Sequence, residues 1–561
     1  MTAPLRIGNA SGFYGDRFSA MREMLTDGPL DVLTGDYLAE LTMLILGRAK
    51  LKDPNAGYAG TFLRQLEESL GLAIERGVRI VANAGGLNPA GLAEAVSTLA
   101  DKLGLNVRVA HVTGDDLLPR AEELGLTGAL TANAYLGGWG IAECLRSGAD
   151  VVVTGRVTDA SLVAGPAAAH FGWGATDFDQ LAGATVAGHV IECGAQATGG
   201  NFAFFTEIPE LTRPGFPIAE IHSDGSAVIT KHPGTGGAVT VETVTAQLLY
   251  EIGGPRYLGP DVTSRFDTVA LAEDGPDRVR ISGVRGETPP DTVKVCLNTL
   301  AGFRNSATFV LCGLDIEAKS ELARKQLLAE VGEDGVTWTL ARTDRPDADT
   351  EQTASALVQT TISTPDDKRA KRFSRACVEL ALASYPGFTL TAPPSAGSPI
   401  GVYRPEYVSA DTVEHRAVLP DGETVRIEKT PTAQRVSLDD RVSETPPLPG
   451  GPTRKLPLGL AFGARSGDKG GDANLGVWAR SDAGYAWLVN ELTTDRLREL
   501  LPEAEKLEID RYPLPNLRAV NFVLHGLLGA GVAASTRFDP QAKALGEWLR
   551  SRLVELPEGL L

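Results

Sequence analysis

The first two hundred residues repeat one pattern, and that pattern limits the fold more than any other feature of the chain. A short apolar run rich in β-branched residues ends in Gly, Asn, Asp or Ser, and a stretch of helical period follows. It occurs at LRIGNASGFYGD (5–16), LDVLTGDYLAE (30–40), VRIVANAGGLNP (78–89), NVRVAHVTGDDL (106–117) and ADVVVTGRVTDASL (149–162). Strands apolar on both faces and separated by helices predict a parallel α/β sheet with crossover helices. In such sheets ligands bind at the carboxyl ends of the strands, and there this sequence gathers its Asn, Asp, Arg and Ser residues. Residues 1–205 are therefore expected to form a parallel-sheet α/β lobe.

After that the texture changes to short strands, Pro and Asp-Gly turns and amphipathic helices, which predicts a mixed α+β second lobe over 206–441. VSETPPLPGGPTRKLP (442–457) reads as a Pro-rich linker. Residues 458–561 alternate strands and helices as a small α+β domain. A chain of 561 residues is too long for one hydrophobic core, so several units are required.

The formal net charge of −18 opposes nonspecific contact with nucleic acid or anionic membrane, because phosphates would meet a like-signed surface. It leaves room for a local basic pocket that takes an acidic small molecule. The five cysteines, Cys144, Cys193, Cys296, Cys312 and Cys377, form no CxxC or Cys/His metal pattern. With MTAPLRIGNA running straight into a strand, no leader is expected, and a reducing cytoplasm is the expected setting. LAELTMLILGRA (38–49) is too short to span a bilayer.

Six segments carry the candidate chemistry. In GNASGFYGDR (8–17) Asn9, Ser11 and Arg17 surround glycines whose bare N–H groups suit a phosphate or carboxylate. Asp36 follows the second apolar run. NAGGLNP (83–89) offers Asn83, Gly85, Gly86 and Asn88, although Asn-Pro also simply starts helices. In TGRVTDAS (154–161) the Arg156 guanidinium fits an acidic ligand, with Asp159 either beside it or capping a helix.

GHVIECGAQATGGNF (188–202) is the densest, with His189, Glu192, Cys193, Gln196 and Asn201 close together. A carboxylate, an imidazole and a thiol so placed supply acid/base or nucleophilic chemistry. KHPGTGGAVTVETV (231–244) joins Lys231, His232, Thr235 and Gly236 at a helix start, an anion-pocket pattern. ARSGDKGGDANLGV (464–477), with Arg465 and Lys469, reads as a ligand loop or an interdomain clasp.

GFYGDR, DYLAE, NAGGLNP, GADVVVTGRVTDASL, GHVIECGAQATGGNF, GFPIAE, KHPGTGGAVTVETVTAQLLYEI and GVRGETPP resemble, in that order, the main domain of the acyclic terpene utilisation (AtuA) family. RSGDKGGDANLGV resembles the signature of the ferredoxin-like domain that accompanies it. The resemblance covers roughly 5–435 and 455–555. It implies a metabolic setting around citronellol- and geraniol-type compounds and acyl-CoA carboxylases, and it carries over no catalytic residues.

The residues and that setting lead to an expected lyase or hydro-lyase acting on a branched 3-hydroxyacyl-CoA, with CoA present only as part of the substrate and no other cofactor. Glu192, with His189 or Asp36, would move the proton, while Arg156 and Lys231 would hold a carboxylate or thioester oxygen. Two alternatives stand beside it. One is acyl or CoA transfer, or thioester hydrolysis, through a covalent Glu192 or Cys193 intermediate. The other is a non-catalytic partner of an acyl-CoA carboxylase. A homodimer is a mild expectation.

Overall fold

The computed structural model describes residues 3–431, 435–440 and 445–561. The first three residues of the expected linker, 442–444, and the lobe boundary at 441 lie outside the described residues.

Six strands form in the amino-terminal region, all but the fifth at the repeated pattern: β1 (Leu5–Asn9), β2 (Val32–Gly35), β3 (Arg79–Ala82), β4 (Val109–Thr113), β5 (Thr131–Ala134) and β6 (Val151–Thr154). Five of them run parallel in the order β1-β2-β3-β6-β4. β2 (VLTG) and β6 (VVVT) are buried at every position, as expected of central strands covered on both faces. The helices between and after the strands are α1 (Ala20–Thr26), α2 (Glu40–Lys52), α3 (Gly60–Arg76), α4 (Pro89–Leu103), α5 (Trp139–Arg146), α6 (Ser161–Phe171) and α7 (Phe178–Ile191). α3 ends on Gly77 and α4 on Gly104, each left-handed, the usual geometry of a glycine helix stop. α7 is apolar all round and buried from Leu181 to Ile191, so its far end is fixed deep in the protein.

The expected boundary at residue 205 is not a structural division. The same sheet continues through β7 (Pro217–Ile221) and β8 (Ala227–Lys231) to Val279–Ser282 and Ala270–Glu273. On its other side it continues through Arg416–Val418 and Thr424–Arg426. All these added pairings are antiparallel, so short hairpins replace the crossover helices on which the sequence pattern depended. β5 also departs from the pattern. It pairs antiparallel with the first half of the long strand Thr292–Cys312, with Val295 opposite Ala134 and Asn298 opposite Thr131.

The mixed α+β unit is smaller than expected and is formed by Thr299–Val402 with Ala533–Pro540. Its strands pair antiparallel, Phe303–Cys312 with Ser355–Thr364 and that in turn with Val336–Ala341. Ile316–Val331 and Asp367–Glu379 are its helices, and Phe309, Leu327, Ile362 and Phe373 are fully buried in its core.

The remaining carboxy-terminal residues belong to the same compact unit as the large sheet. They form a four-stranded antiparallel sheet of Phe462–Lys469, Asp472–Ala479, Ala519–Leu524 and Ile509–Leu514. Helix Asp482–Glu491, capped by Ser481, was not anticipated from the sequence, and the last helix is only Leu545–Arg550. This domain packs closely on the large sheet's unit. Trp478 stacks on Phe202 with ring centroids 6.0 Å apart, and Asn516 Nδ2 donates to the carbonyls of Phe266 and Val269 at 2.9 Å. A helix, α8 (Val241–Leu248), with a Thr240–Thr243 capping box, leads into the segment 249–254 on which the domain rests.

Candidate functional site

The carboxyl ends of β1, β2, β3 and β6 deliver Asn9, Asp36, Asn83 and Arg156 to one edge of the sheet. Asp36 Oδ1 accepts from Asn83 Nδ2 at 2.6 Å and from the Leu38 N–H at 3.0 Å. Arg156 is held on every side. Its N–H donates to buried Asp115 at 2.9 Å, Nη1 to the Leu38 carbonyl at 3.0 Å and Nη2 to Asp159 at 2.6 Å. Its guanidinium carbon lies 4.2 Å from the centre of the Tyr135 ring, a cation–π contact. Nε of this side chain, 3% exposed, has no protein partner.

The end of α7 meets this edge. Asn9 Nδ2 donates to the carbonyls of Ile191 and Glu192 at 2.7 and 2.8 Å, fixing where Glu192 emerges. Gly12 makes the approach feasible, because a Cβ there would stand 2.6 Å from the Cys193 carbonyl carbon. Glu192 Oε1 lies 3.3 Å from His189 Nδ1, one helical turn away. The imidazole packs against the stacked pair Tyr257 and Phe266, 5.1 and 5.4 Å from their ring centres. Neither its nitrogens nor Glu192 Oε2 have a hydrogen-bond partner, although both side chains are more than nine-tenths buried. Buried polar atoms are usually satisfied, so orphans converging here point to a missing ligand.

Electrostatics separates the two groups. Burial pulls the His189 imidazole down to about 4, so it is neutral at pH 7. Burial, with the charges of Asp159 and Glu251, pushes the Glu192 carboxyl well above its ordinary range, against the pull of Arg156. Asp36 is raised in the same way by burial and Asp159. A neutral base beside a protonated acid is the pairing that acid/base catalysis needs.

A second cation shares the Tyr135 ring with Arg156. Lys294, on strand Thr292–Cys312, places its ammonium 3.7 Å from Glu40 and 4.7 Å from the centre of the Tyr135 ring. Burial opposes its charge, but Tyr403 and Glu40 outweigh that and hold it above its ordinary value. Burial likewise opposes ionisation of Glu40, yet Lys294 and Arg156 hold it below the usual carboxylate range. Asp159, Glu40 and Lys294 keep 28, 30 and 35% of their side-chain surface accessible. These three groups thus remain partly open to solvent although the protein around them strongly desolvates them.

Other expected residues do structural work. Asn88 caps α4 by accepting from the Gly91 N–H, while Gly85 and Gly86 press against the carbonyls of Thr154 and Gly57. Arg17 pairs with Glu23 at 3.0 Å and donates to the Pro214 carbonyl. Ser11 Oγ donates to the Phe13 carbonyl. Gln196 and the Asn201 carbonyl both receive Arg465.

The expectation that Lys231 joins Arg156 is corrected. Its ammonium is taken by Asp277 at 3.0 Å and the Thr235 carbonyl at 2.8 Å. His232 packs on Gly28, Thr235 Oγ1 bonds the His232 carbonyl, and Gly236 lies against the Glu210 carbonyl. The Cys193 thiol is pushed well above its ordinary value by burial, Glu192 and Glu251, so it stays protonated.

Glu40, Tyr135, Glu251, Tyr257, Lys294 and Tyr403 were not anticipated as site residues. Lys294 did leave a signal: a charge set between Val293 and Val295 in the apolar run VKVCL. Among the described residues no three His, Cys, Asp or Glu side chains are grouped as metal ligands. Nor is any described helix long and apolar enough to cross a membrane.

The family model described as acyclic terpene utilisation family protein AtuA matches residues 5–419. The chain belongs to the AtuA family. A second model, the AtuA ferredoxin-like domain, matches residues 458–555 and so covers the carboxy-terminal sheet domain. The AtuA region contains Arg156, His189, Glu192 and Lys294, and the ferredoxin-like domain contains Arg465 and Lys469. No curated protein and no solved structure matches the chain.

Proposed function

We propose that this AtuA-family protein is a lyase of the hydro-lyase type acting on a branched 3-hydroxyacyl-CoA, with His189 and Glu192 as its acid/base pair. The observation that carries the reading is the 3.3 Å approach of two buried groups with unpartnered atoms and opposite protonation tendencies. Membership of a family named for terpene utilisation supports a metabolic role on branched carbon skeletons.

In the forward direction the neutral imidazole accepts the α-proton at Nε2, with its own hydrogen on Nδ1. The C–H electron pair forms the new double bond as the β-hydroxyl leaves. Glu192 protonates that hydroxyl, so water departs. The imidazolium then loses its Nε2 proton to solvent and the Glu192 carboxylate takes one up, so the Nδ1 tautomer and the protonated acid are both restored with water as the only proton carrier. Arg156, with Lys294 taking the role first expected of Lys231, stabilises the oxygen that gains enolate charge during proton removal. Desolvation strengthens those interactions. The protonated state of Cys193 weighs against a thiolate nucleophile.

The test is turnover of a panel of branched 3-hydroxyacyl-CoA thioesters and their 2-enoyl counterparts by the full chain. Cα deuterium exchange in heavy water would be read by mass spectrometry. Glu192→Gln is expected to lose roughly 10²–10⁴-fold in rate. Full turnover by both Glu192→Gln and Arg156→Ala sinks the assignment. Absence of turnover together with co-purification of a biotinylated carboxylase would favour the partner role.

A further inference from the structure

The hairpin formed by Phe462–Lys469 and Asp472–Ala479 has a sequence, RSGDKGGDANLGV, that the chemistry above leaves unexplained. Its glycines are packing positions. A Cβ on Gly467 would stand 2.4 Å from the Tyr250 ring, and one on Gly476 would stand 2.5 Å from Leu249 Cβ. Asn474 Oδ1 accepts the Glu251 N–H at 2.7 Å, and Asn521 Nδ2 donates to the Gly253 carbonyl at 2.6 Å. Arg465 stacks on Tyr250 with 4.1 Å between guanidinium carbon and ring centre while binding Gln196. These contacts seat the hairpin along residues 249–254, whose Glu251 faces Glu192.

Two charged residues at the hairpin tip are not used in that seating. Lys469 Nζ meets only the Glu251 carbonyl, at 3.4 Å, with no carboxylate in ion-pair range among the described residues. The hairpin tip nevertheless reaches the site: a Cβ on Gly470 would stand 3.1 Å from the Tyr403 ring, whose centre lies 5.7 Å from Lys294 Nζ. Asp468 lies next to Lys469 and is influenced by Glu251 and Glu40. A hairpin anchored this firmly, carrying a cation without an anionic partner beside Glu251 and Tyr403, has the arrangement of a binding group.

We propose that the hairpin tip is a wall of the site and that Lys469 is a substrate-contacting amine, binding an anionic oxygen of a carboxylate or enolate together with Arg156 and Lys294. Neither family domain alone then holds a complete site. The inference rests on the location of the site around Glu192 and not on the dehydration chemistry. The electrostatics agree with it, since desolvation by the surrounding protein and the nearby Lys294 charge bring the amine of the exposed Lys469 down to about 8.

Competitive labelling of the full chain with trace acetic anhydride between pH 6 and 11, read by peptide mass spectrometry, tests it. Lys469 is expected to reach half reactivity near pH 8, ahead of the exposed Lys325 and Lys371. Saturating 3-hydroxy-3-methylbutyrate, used as a carboxylate probe, is expected to slow its labelling severalfold. Labelling no earlier than at those exposed lysines, or labelling indifferent to the probe, overturns the proposal. A shifted and protected Lys469 without acyl-CoA turnover would uphold it while removing the dehydration reading. Turnover with an unshifted or unprotected Lys469 would do the reverse.

Discussion

Asn83 fixes Asp36 from the neighbouring strand end, donating from Nδ2 to Asp36 Oδ1 at 2.6 Å while its own Oδ1 accepts the Tyr37 N–H at 2.7 Å. Both residues are buried, so neither bond can be replaced by water without rearrangement. Asn83→Ala is expected to destabilise the protein by about 1–3 kcal/mol, the cost of stranding buried polar groups. Urea unfolding would show it as a lower midpoint, and a double-mutant cycle with Asp36→Asn should give strong non-additivity. Independent, additive effects would show that the pair is not coupled.

Glu192 makes stability depend on pH in a defined direction. Its folded-state value lies well above the ordinary 4.5. Its contribution is therefore fully present below pH 4.5 and is lost as pH rises through the folded value. Glu192→Gln removes this titration. The variant's melting temperature, relative to the native protein, should rise progressively from pH 4.5 towards alkaline pH. A difference that stays constant across that range would show that Glu192 is not desolvated as described.

Gly12 lies against backbone, not against a side chain that can swing away. A Cβ there would meet the Cys193 carbonyl carbon at 2.6 Å and its Cα at 2.9 Å. Gly12→Ala should cost about 1–3 kcal/mol by overpacking and should also move Glu192 relative to Arg156. Reduced turnover together with a lower melting temperature is the expected result. An unchanged melting temperature would contradict this close packing.

Lys231 is a control for the site's limits. Lys231→Met breaks the pair with Asp277, which keeps 39% of its side-chain surface exposed. The loss should be roughly 1–3 kcal/mol, below that of a fully buried pair. Turnover of any accepted substrate should stay within about twofold, because the native ammonium already has its partners. A large fall in turnover without loss of stability would return Lys231 to the site.

Much of this was legible beforehand. β1, β2, β3 and β6 could be read from their apolar runs, and Asn9, Asp36, Asn83 and Arg156 from their positions just beyond those runs. Glu192 and His189 could be read because both lie in one segment. Lys294, Glu40 and Tyr135 were not legible as a group. They come from a long strand, a helix start and an edge strand, with 254 positions between Glu40 and Lys294 in the numbering, and no local pattern records a contact made at that separation.

The sequence by itself determined the parallel sheet, the polar residues along its carboxyl edge and the small carboxy-terminal domain, because periodicity and turn residues act over a few positions and are written locally. Only the tertiary structure decided which charges meet. It gave Lys231 to Asp277, brought Lys294 to Arg156 through Tyr135, and seated the Lys469 hairpin against Glu251. Protonation was decided there too, since burial that sets His189 and Glu192 apart exists only once the chain has closed around them.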